Sequence, residues 1–211
     1  MELIGAGRTA DVYALDECRV LRRYRANTTA RAEARIMEHV RAHGFPVPAV
    51  HDCTDTDLVL DRLPGPTMLD ALTRRPWLLF RYGRQLAELH DRLHTVPAPG
   101  WLPRFDGGDR VLHLDLHPGN VILTPGGPMV IDWCNARAGS PAVDLATTVV
   151  LLSTGDVPAL AARLGRRLFV RVLVGASRTD PGPRIADAAA ARMRDPMLSA
   201  AEKERLARFV R

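Results

Sequence analysis

Short apolar segments separated by turn-forming residues dominate the first 62 residues of the chain. A glycine-containing turn over 5–13 leads into an apolar strand, and a second strand is predicted over 19–24. Apolar positions then recur every three or four residues from about Thr28 to Ala42, which predicts a helix that ends at Gly44. A short buried strand is predicted over 57–61. The pattern indicates a small, strand-rich N-terminal lobe.

Helical periodicity becomes dominant after residue 62. The segment Leu63-Pro64-Gly65-Pro66 contains three turn formers and is the best hinge candidate. The elements predicted beyond it are a helix from Pro76 to about His94, strands over 121–123 and 129–131, and helices from Ala142 onward with breaks at 154–156 and 180–183. We therefore predict an α+β protein with a strand-rich lobe over residues 1–62 and a mainly helical lobe over 63–211.

The composition is that of a soluble globular protein. The 211 residues are 46% hydrophobic and 25% charged, and the chain opens without a basic stretch before an apolar core. No apolar run approaches the length of a membrane-spanning helix. The three cysteines are odd in number and far apart, which suits a reducing compartment and gives no zinc pattern. We expect a cytoplasmic protein without a membrane partner, and the sequence indicates no particular oligomeric state.

The positive charge is concentrated in the last third of the chain. The formal net charge is +5, and residues 151–211 hold twelve basic and six acidic side chains. Such a surplus suits an anionic ligand or nucleic acid. The arginines alternate with Ala, Leu and Val at helical spacing, however, which favours a solvated helix face. We therefore do not expect a nucleic-acid partner.

The segment His113-Leu114-Asp115-Leu116-His117-Pro118-Gly119-Asn120 matches the catalytic-loop pattern H-x-D-L-x-x-x-N of phosphoryl-transfer enzymes. Asp115 is the candidate base. The amide of Asn120 and the carboxylate of Asp132, which ends an apolar strand, are candidate ligands of Mg²⁺. The alternative is a polar turn between two strands, in which the same side chains only satisfy backbone groups.

A glycine-rich segment near the N-terminus is the candidate phosphate loop. Residues 5–12 match the pattern G-x-G-x-x-G-x-V except at Ala10. Glycines allow backbone N–H groups to approach phosphates closely, so Gly5, Gly7, Arg8 and Thr9 are candidate nucleotide-binding residues. A plain hairpin turn explains the glycines equally well when the segment is considered alone. Its place ahead of the catalytic loop favours the nucleotide.

Arginine stands where a phosphate-binding lysine is expected on the next strand. Arg22 follows Val20-Leu21, keeps the positive charge and is able to bind phosphate through two N–H groups. Arg23 is the other possible register, and Glu33 on the following helix is the natural ion-pair partner. The alternative for Arg22 is an exposed strand arginine.

Further polar side chains flank the loop. His113 is predicted to order the loop by hydrogen bonding to backbone, whereas His117 either contacts phosphate or packs. His90 and His94, four apart on one helix, lack a third ligand in sequence, so hydrogen-bonded helix residues are preferred over a metal pair. Asp144 is predicted to hold the catalytic loop rather than to take part in chemistry.

These segments resemble the aminoglycoside phosphotransferase and choline kinase-like family, which shares the bilobal protein kinase fold. The resemblance covers about the first 150 residues. The matching segments are 5–13, 20–25, 58–65, 86–94, 113–123, 130–133 and 139–146. The Asp-Leu-His-Pro-Gly-Asn string, and Asp-Trp in place of Asp-Phe-Gly, are similar to these small-molecule kinases more than to protein kinases.

The resemblance implies an ATP- and Mg²⁺-dependent kinase that phosphorylates a hydroxyl of a small molecule. It makes Asp115 the base, Asn120 and Asp132 the metal ligands, and Arg22 the stand-in for the phosphate-binding lysine. The stretch 58–63, with Leu60, Asp61 and Leu63, is then the segment that meets adenine. Because the lysine is replaced, a catalytically weak or inactive nucleotide-binding module with a regulatory role is the alternative. A basic domain that binds nucleic acid is a third, weaker hypothesis.

Overall fold

The structure is a computed structural model, and it describes residues 1–7, 10–25, 30–155, 160–195 and 198–210. The chain forms two compact units. The first contains Met1–Thr67 and Asn120–Cys134, and the second contains Met68–Gly119 and Asn135–Arg211. Strands and helices are both present, so the predicted α+β class is confirmed. The predicted division between residues 62 and 63 stays a prediction.

An antiparallel sheet forms the frame of the first unit. Its strand order is β1-β2-β3-β5-β4. The strands are β1 (Glu2–Ala6), β2 (Ala10–Ala14), β3 (Arg19–Tyr24), β4 (Val50–Cys53) and β5 (Asp57–Asp61). Strand β5 occupies the residues predicted for it. Leu58 and Leu60, at alternate positions, are buried, which is the pattern that a strand with one covered face produces. In the ladder between β3 and β5, Arg22 lies opposite Leu58.

One helix and one hairpin complete the first unit. Helix α1 (Ala30–Ala42) packs on β4 and β5, and it buries Ile36, Met37 and Val40 at helical spacing. Its predicted start near Thr28 lies outside the described residues. The hairpin of β7 (Val121–Thr124) and β8 (Gly127–Val130) joins this unit by two backbone hydrogen bonds, from Leu123 to Pro66 and from Val130 to Pro46.

The second unit is mainly helical. Its helices are α2 (Met68–Arg74), α3 (Leu79–Leu93), α4 (Pro141–Thr154), α5 (Leu160–Ala176), α6 (Ile185–Arg192) and α7 (Ala200–Leu206). A 3₁₀ turn over Pro76–Leu78 precedes α3, so the long helix predicted from Pro76 begins as a tighter turn. Strands β6 (Arg110–Leu112) and β9 (Arg137–Gly139) form a small antiparallel pair.

Helix α4 is the central element of this helical unit. Nearly all of its faces are buried, since the successive residues Val143, Asp144, Leu145 and Ala146 point in different directions around the helix and all are covered. It packs against α5, α6 and α7. Helix α3 also packs on α5. Within the described residues, no helix is both long and apolar enough to cross a bilayer.

Candidate functional site

Arg22 is the centre of a buried charge cluster in the first unit. From strand β3, its Nη1 donates to Oε1 of Glu33 at 2.9 Å and its Nη2 donates to Oδ1 of Asp132 at 2.7 Å. The Arg22 side chain is only 11% exposed. Arg23 instead forms an ion pair with Asp57 at the surface. Of the two registers left open by the sequence, the structure therefore brings Arg22, and not Arg23, to Glu33 and Asp132.

Burial sets the charge balance of this cluster. Desolvation acts to lower the pKa of Arg22, but the carboxylates of Glu33 and Asp132 outweigh it and raise that pKa. Desolvation is also the largest effect on Glu33, where it raises the pKa to about 7 against the opposing pull of Arg22. The guanidinium is thus permanently charged, whereas Glu33 changes its charge near neutral pH.

Glu33 connects helix α1 to the segment that follows β8. Its Oε1 accepts a second hydrogen bond, from the backbone N–H of Trp133 at 2.9 Å. The indole of Trp133 donates to the carbonyl of Val130 and meets Phe45 edge to face at 5.6 Å between ring centroids. These contacts fix the backbone on both sides of Asp132.

Asn120 precedes strand β7 and Asp132 follows strand β8, so both residues lie at the open end of one hairpin. Val121 lies opposite Val130 in the β7–β8 ladder, and the N–H of Ile131 donates to the carbonyl of Asn120 at 3.0 Å. Both residues of the candidate metal pair therefore belong to the first unit. An amide oxygen and a carboxylate are hard donors, and Mg²⁺ is commonly bound by one or two such groups together with water and phosphate. The donor set fits that ion.

The backbone at Asp132 is held in a rare conformation. Its φ is +67°, a left-handed value that few non-glycine residues adopt. The thiol of Cys134 donates to Oδ1 of Asp132 at 3.1 Å. Burial raises the pKa of Cys134, so the thiol keeps its proton and remains a donor. The sequence analysis did not identify Cys134, because two residues of spacing alone do not indicate a contact.

The glycine segment covers the end of β1 and the start of β2. Gly5 lies in β1 opposite Val12, next to an irregularity in the ladder. The N–H of Gly7 donates to the carbonyl of Ala10 at 2.8 Å, and a Cβ at Gly7 would lie 3.2 Å from that oxygen. A side chain there would crowd the turn. Arg8 and Thr9 lie outside the described residues, and the nucleotide role of the segment stays a prediction.

The segment predicted to meet adenine is engaged in its own sheet. Leu60 is buried and Leu63 is half-buried. The carboxylate of Asp61 accepts from the N–H of Ala49 at 2.8 Å and contacts Nε2 of His51 at 2.7 Å. Burial alone would raise the pKa of Asp61, but these hydrogen bonds hold it below the ordinary value. The Asp61 side chain thus links β5 to Ala49 and to His51 of β4. A nucleotide role for Leu60, Asp61 and Leu63 stays a prediction.

The candidate catalytic loop, whose residues 113–119 belong to the second unit, is ordered by its own histidines. The buried His113 accepts at Nδ1 from the N–H of Asp115 at 3.2 Å, so it hydrogen-bonds to backbone as expected. His117 accepts at Nδ1 from the N–H of Gly119 at 3.0 Å, and its Nε2 lies 3.8 Å from Oδ1 of Asp115. The carboxylate of Asp115 is 25% exposed and therefore accessible to a ligand.

A buried polar cluster supports this loop. Oδ1 of Asp144, at the first turn of α4, accepts from the N–H of Leu114 at 2.6 Å, and Leu114 has a φ of +60°. Oδ2 accepts from Nε2 of His94 at 3.0 Å and lies 3.5 Å from Nδ1 of His90. Burial would raise the pKa of Asp144, but the two histidines bring it far below the ordinary value. Asp144 therefore holds the loop, as predicted.

Thr148 is the member of this cluster that the sequence analysis missed. Its hydroxyl donates to the carbonyl of Leu116 at 2.8 Å, so the 3.1 Å contact with Nε2 of His90 has the ring N–H as donor. Thr148 follows Asp144 by one helical turn on the same face, which is the signal that points to it. Ligand atoms of His90, His94 and Asp144 lie within 4.8 Å of one another. Each histidine makes a hydrogen bond through Nε2, as expected, while Asp144 supplies the third possible ligand that the sequence pattern lacked.

Comparison with known proteins relates the whole arrangement to phosphotransferases. A family model described as the phosphotransferase enzyme family (APH) matches residues 1–110 and 74–184. No curated protein is similar enough in sequence to match.

Several solved structures share the fold. Aminoglycoside phosphotransferase APH(4)-Ia aligns with a TM-score of 0.71 at 16% identity, over 99% of this chain and 92% of that one. The streptomycin–ATP ternary complex of APH(2")-IIa aligns with a TM-score of 0.67 at 11% identity, over 99% and 90%. Amicoumacin kinase hAmiN in complex with AMP-PNP, Ca²⁺ and Ami gives 0.59 at 16%, over 98% and 85%. The predicted kinase-like fold is confirmed.

Replacing Glu33 by Gln tests the buried charge cluster through the pH dependence of stability. Folding raises the pKa of Glu33 from 4.5 to about 7, so its contribution to stability is complete below pH 4.5 and is lost as the pH rises to about 7. The full effect corresponds to roughly 3 kcal/mol at most. Urea unfolding between pH 4.5 and 8 is expected to give a flatter profile for Glu33→Gln. The exposed Glu38→Gln on the same helix is the control, and identical profiles for all three proteins would contradict the assignment.

Replacing Thr148 by Val tests the support of the catalytic loop. Valine keeps the shape but leaves the Leu116 carbonyl and the His90 ring N–H buried without their partner, which is expected to destabilise the protein by about 1–3 kcal/mol. Thr147→Val is the matched control, because that hydroxyl only bonds the Val143 carbonyl of its own helix. The free energies of unfolding in urea are compared. Equal effects of the two substitutions would show that Thr148 does not support the loop.

Proposed function

This chain belongs to the phosphotransferase enzyme family, and on that basis we propose that it transfers the γ-phosphoryl group of ATP to a hydroxyl of a small molecule, with Mg²⁺ required. The family match confirms the resemblance that was based on the motifs. It also confirms the prediction that the protein is a phosphotransferase. The observation that carries the proposal furthest is the buried Arg22 guanidinium, which is hydrogen-bonded to Asp132 and Glu33.

In the proposed reaction, each loop residue has one task. Asp115 accepts the proton of the acceptor hydroxyl as its oxygen bonds to the γ-phosphorus, and the bond from that phosphorus to the β–γ bridging oxygen breaks to give ADP. His113 positions Asp115 through the backbone hydrogen bond at 3.2 Å. Phosphoryl transfer requires mainly that the reacting groups be positioned and their charge be stabilised. These are the tasks that the proposed roles give to the protein.

Residues of the first unit are proposed to offset the negative charge of the transferred phosphoryl group. Arg22 is proposed to bind phosphate oxygens in place of the usual lysine, while Glu33 fixes its orientation. Asn120 and Asp132 are proposed to hold Mg²⁺, which would neutralise charge on the phosphates. The candidate nucleotide residues are Gly5, Gly7, Arg8, Thr9, Leu60, Asp61 and Leu63.

The acceptor is proposed to be a neutral or anionic hydroxyl compound. A polycationic acceptor needs an acidic pocket, whereas residues 151–211 carry twice as many basic as acidic side chains. The three cysteines of the described chain are free thiols. That is the state expected in the cytoplasm, which we propose as the compartment.

A transfer assay with a panel of hydroxyl compounds tests this function. Formation of ADP and of a phosphorylated product is measured with Mg²⁺ and ATP, for neutral, anionic and aminoglycoside acceptors. Asp115→Asn is expected to lower kcat by about 10²- to 10⁴-fold, because it removes the base. Asp109→Asn is the control, since that carboxylate is exposed in the same unit. An unchanged kcat in Asp115→Asn, or no product from any acceptor, would exclude the proposed reaction.

The replaced lysine keeps the inactive-module hypothesis open, and the same assay decides it. The two amino groups of Arg22 serve two different carboxylates, which one lysine nitrogen does not reproduce. We therefore expect Arg22→Lys to lose activity. A large gain in rate would instead indicate that arginine impairs catalysis at this site, and would favour a nucleotide-binding module with a regulatory role.

A further inference from the structure

The helical unit contains a groove lined mainly by arginines. It lies along α5 and α7 at the C-terminal end of α4, and its volume is about 680 Å³. Six arginines line it: Arg163, Arg166, Arg167, Arg171, Arg205 and Arg208. Glu204 is the one carboxylate among its lining residues within the described chain. A concave space of this size is typical of a small-molecule site.

This groove accounts for the net charge of the entire protein. The chain has 29 basic and 24 acidic side chains and a formal net charge of +5. Without the six lining arginines and Glu204, 23 basic and 23 acidic side chains remain, and the rest of the chain is neutral. The sequence pattern favoured a solvated helix face for these arginines. Arg163, Arg167, Arg171 and Arg208 are exposed, as that expectation requires, and the structure also brings the arginines of α5 and those at 205 and 208 around one concave surface.

Helix α5 is unusual for a solvated surface helix. It carries four arginines and no acidic residue, so it has no opposite charge at the i+3 or i+4 positions that normally balance such a face. Like charges held close together repel one another, and the apolar wall of Leu152, Val170 and Phe209 lowers the local screening. An anion bound in the groove would offset that repulsion.

Two of the arginines are fixed in place. Arg166 donates to the carbonyls of Gly155 and Ser153, and Arg205 donates to the carbonyl of Thr154 at 2.7 Å. These carbonyls end helix α4, where the helix dipole carries its negative pole. These two side chains are therefore anchored and partly buried, while Arg167, Arg171 and Arg208 are exposed.

We propose that this groove binds a small polyanion with two or more phosphate groups. Guanidinium groups recognise phosphate through paired N–H donors, and several arginines in one groove favour a ligand with several charges. Asp144 holds the catalytic loop from the first turn of α4, and Gly155 lies eleven residues further on, a distance of about 16 Å along the helix. The groove is thus separate from the loop that carries Asp115.

Calorimetric titration with sodium tripolyphosphate tests the groove. The probe is titrated into the full chain in 0.1 M salt with EDTA, which removes divalent cations. Saturable binding at the groove is expected, because EDTA removes the Mg²⁺ on which the proposed ATP site depends. Arg167→Ala with Arg171→Ala is expected to weaken the affinity at least tenfold, whereas Arg74→Ala with Arg75→Ala, which removes the same charge from exposed positions outside the groove, is expected to change it less than twofold.

The outcomes separate a built site from diffuse attraction. Absence of saturable binding by the wild type, or equal weakening in both double variants, overturns the proposal. Tighter binding of a single-stranded oligonucleotide than of tripolyphosphate also overturns it, in favour of a nucleic-acid surface. The melting temperature of each variant checks folding. If the groove variant does not fold, Arg171→Gln replaces it, with at least threefold weaker binding expected and an unchanged affinity contradicting the proposal.

Discussion

The buried guanidinium of Arg22 is the interaction on which the first unit depends. A buried charge is tolerated only when it is paired and hydrogen-bonded, and Arg22 obtains partners from helix α1 and from the segment after β8. The same contacts set the position of Asp132. With both carboxylates ionised, the cluster carries an excess of negative charge, which suits a divalent cation at the oxygens of Asp132 and Asn120.

The second unit follows the same principle with a negative charge at the centre. Asp144 is fully buried, and its two oxygens are divided between the backbone of the candidate catalytic loop and the histidines at the C-terminal end of α3. The left-handed backbone at Leu114 persists because these contacts over-determine it. In each unit, a buried polar network orders an irregular segment, so the candidate reactive groups do not depend on loop flexibility.

Sequence patterns predicted the secondary-structure elements better than they predicted the contacts between side chains. Strand β5 and the hairpin followed directly from apolar alternation and turn residues, since these signals are local. The choice between Arg22 and Arg23 was not local, because it depends on which face of β3 meets Glu33 across the fold. Thr148 was missed for the same reason, since its contacts with Leu116 and His90 are distant in sequence, whereas Cys134 was missed because a spacing of two residues alone does not indicate a contact. The arginine groove was also hidden, because periodicity in α5 gives no information about Arg205 and Arg208, which line the same groove.

The central claim is that Arg22, Asn120 and Asp132 form a metal-dependent phosphate site. Calorimetric titration of ATP into the protein, with Mg²⁺ or with EDTA, tests it most directly, beside Asp132→Ala and the surface control Asp57→Ala. The account predicts binding that is at least tenfold tighter with Mg²⁺ in the wild type and in Asp57→Ala, and a loss of that difference in Asp132→Ala. Folded wild-type protein that binds no ATP, or binds it equally with and without Mg²⁺, would contradict the account.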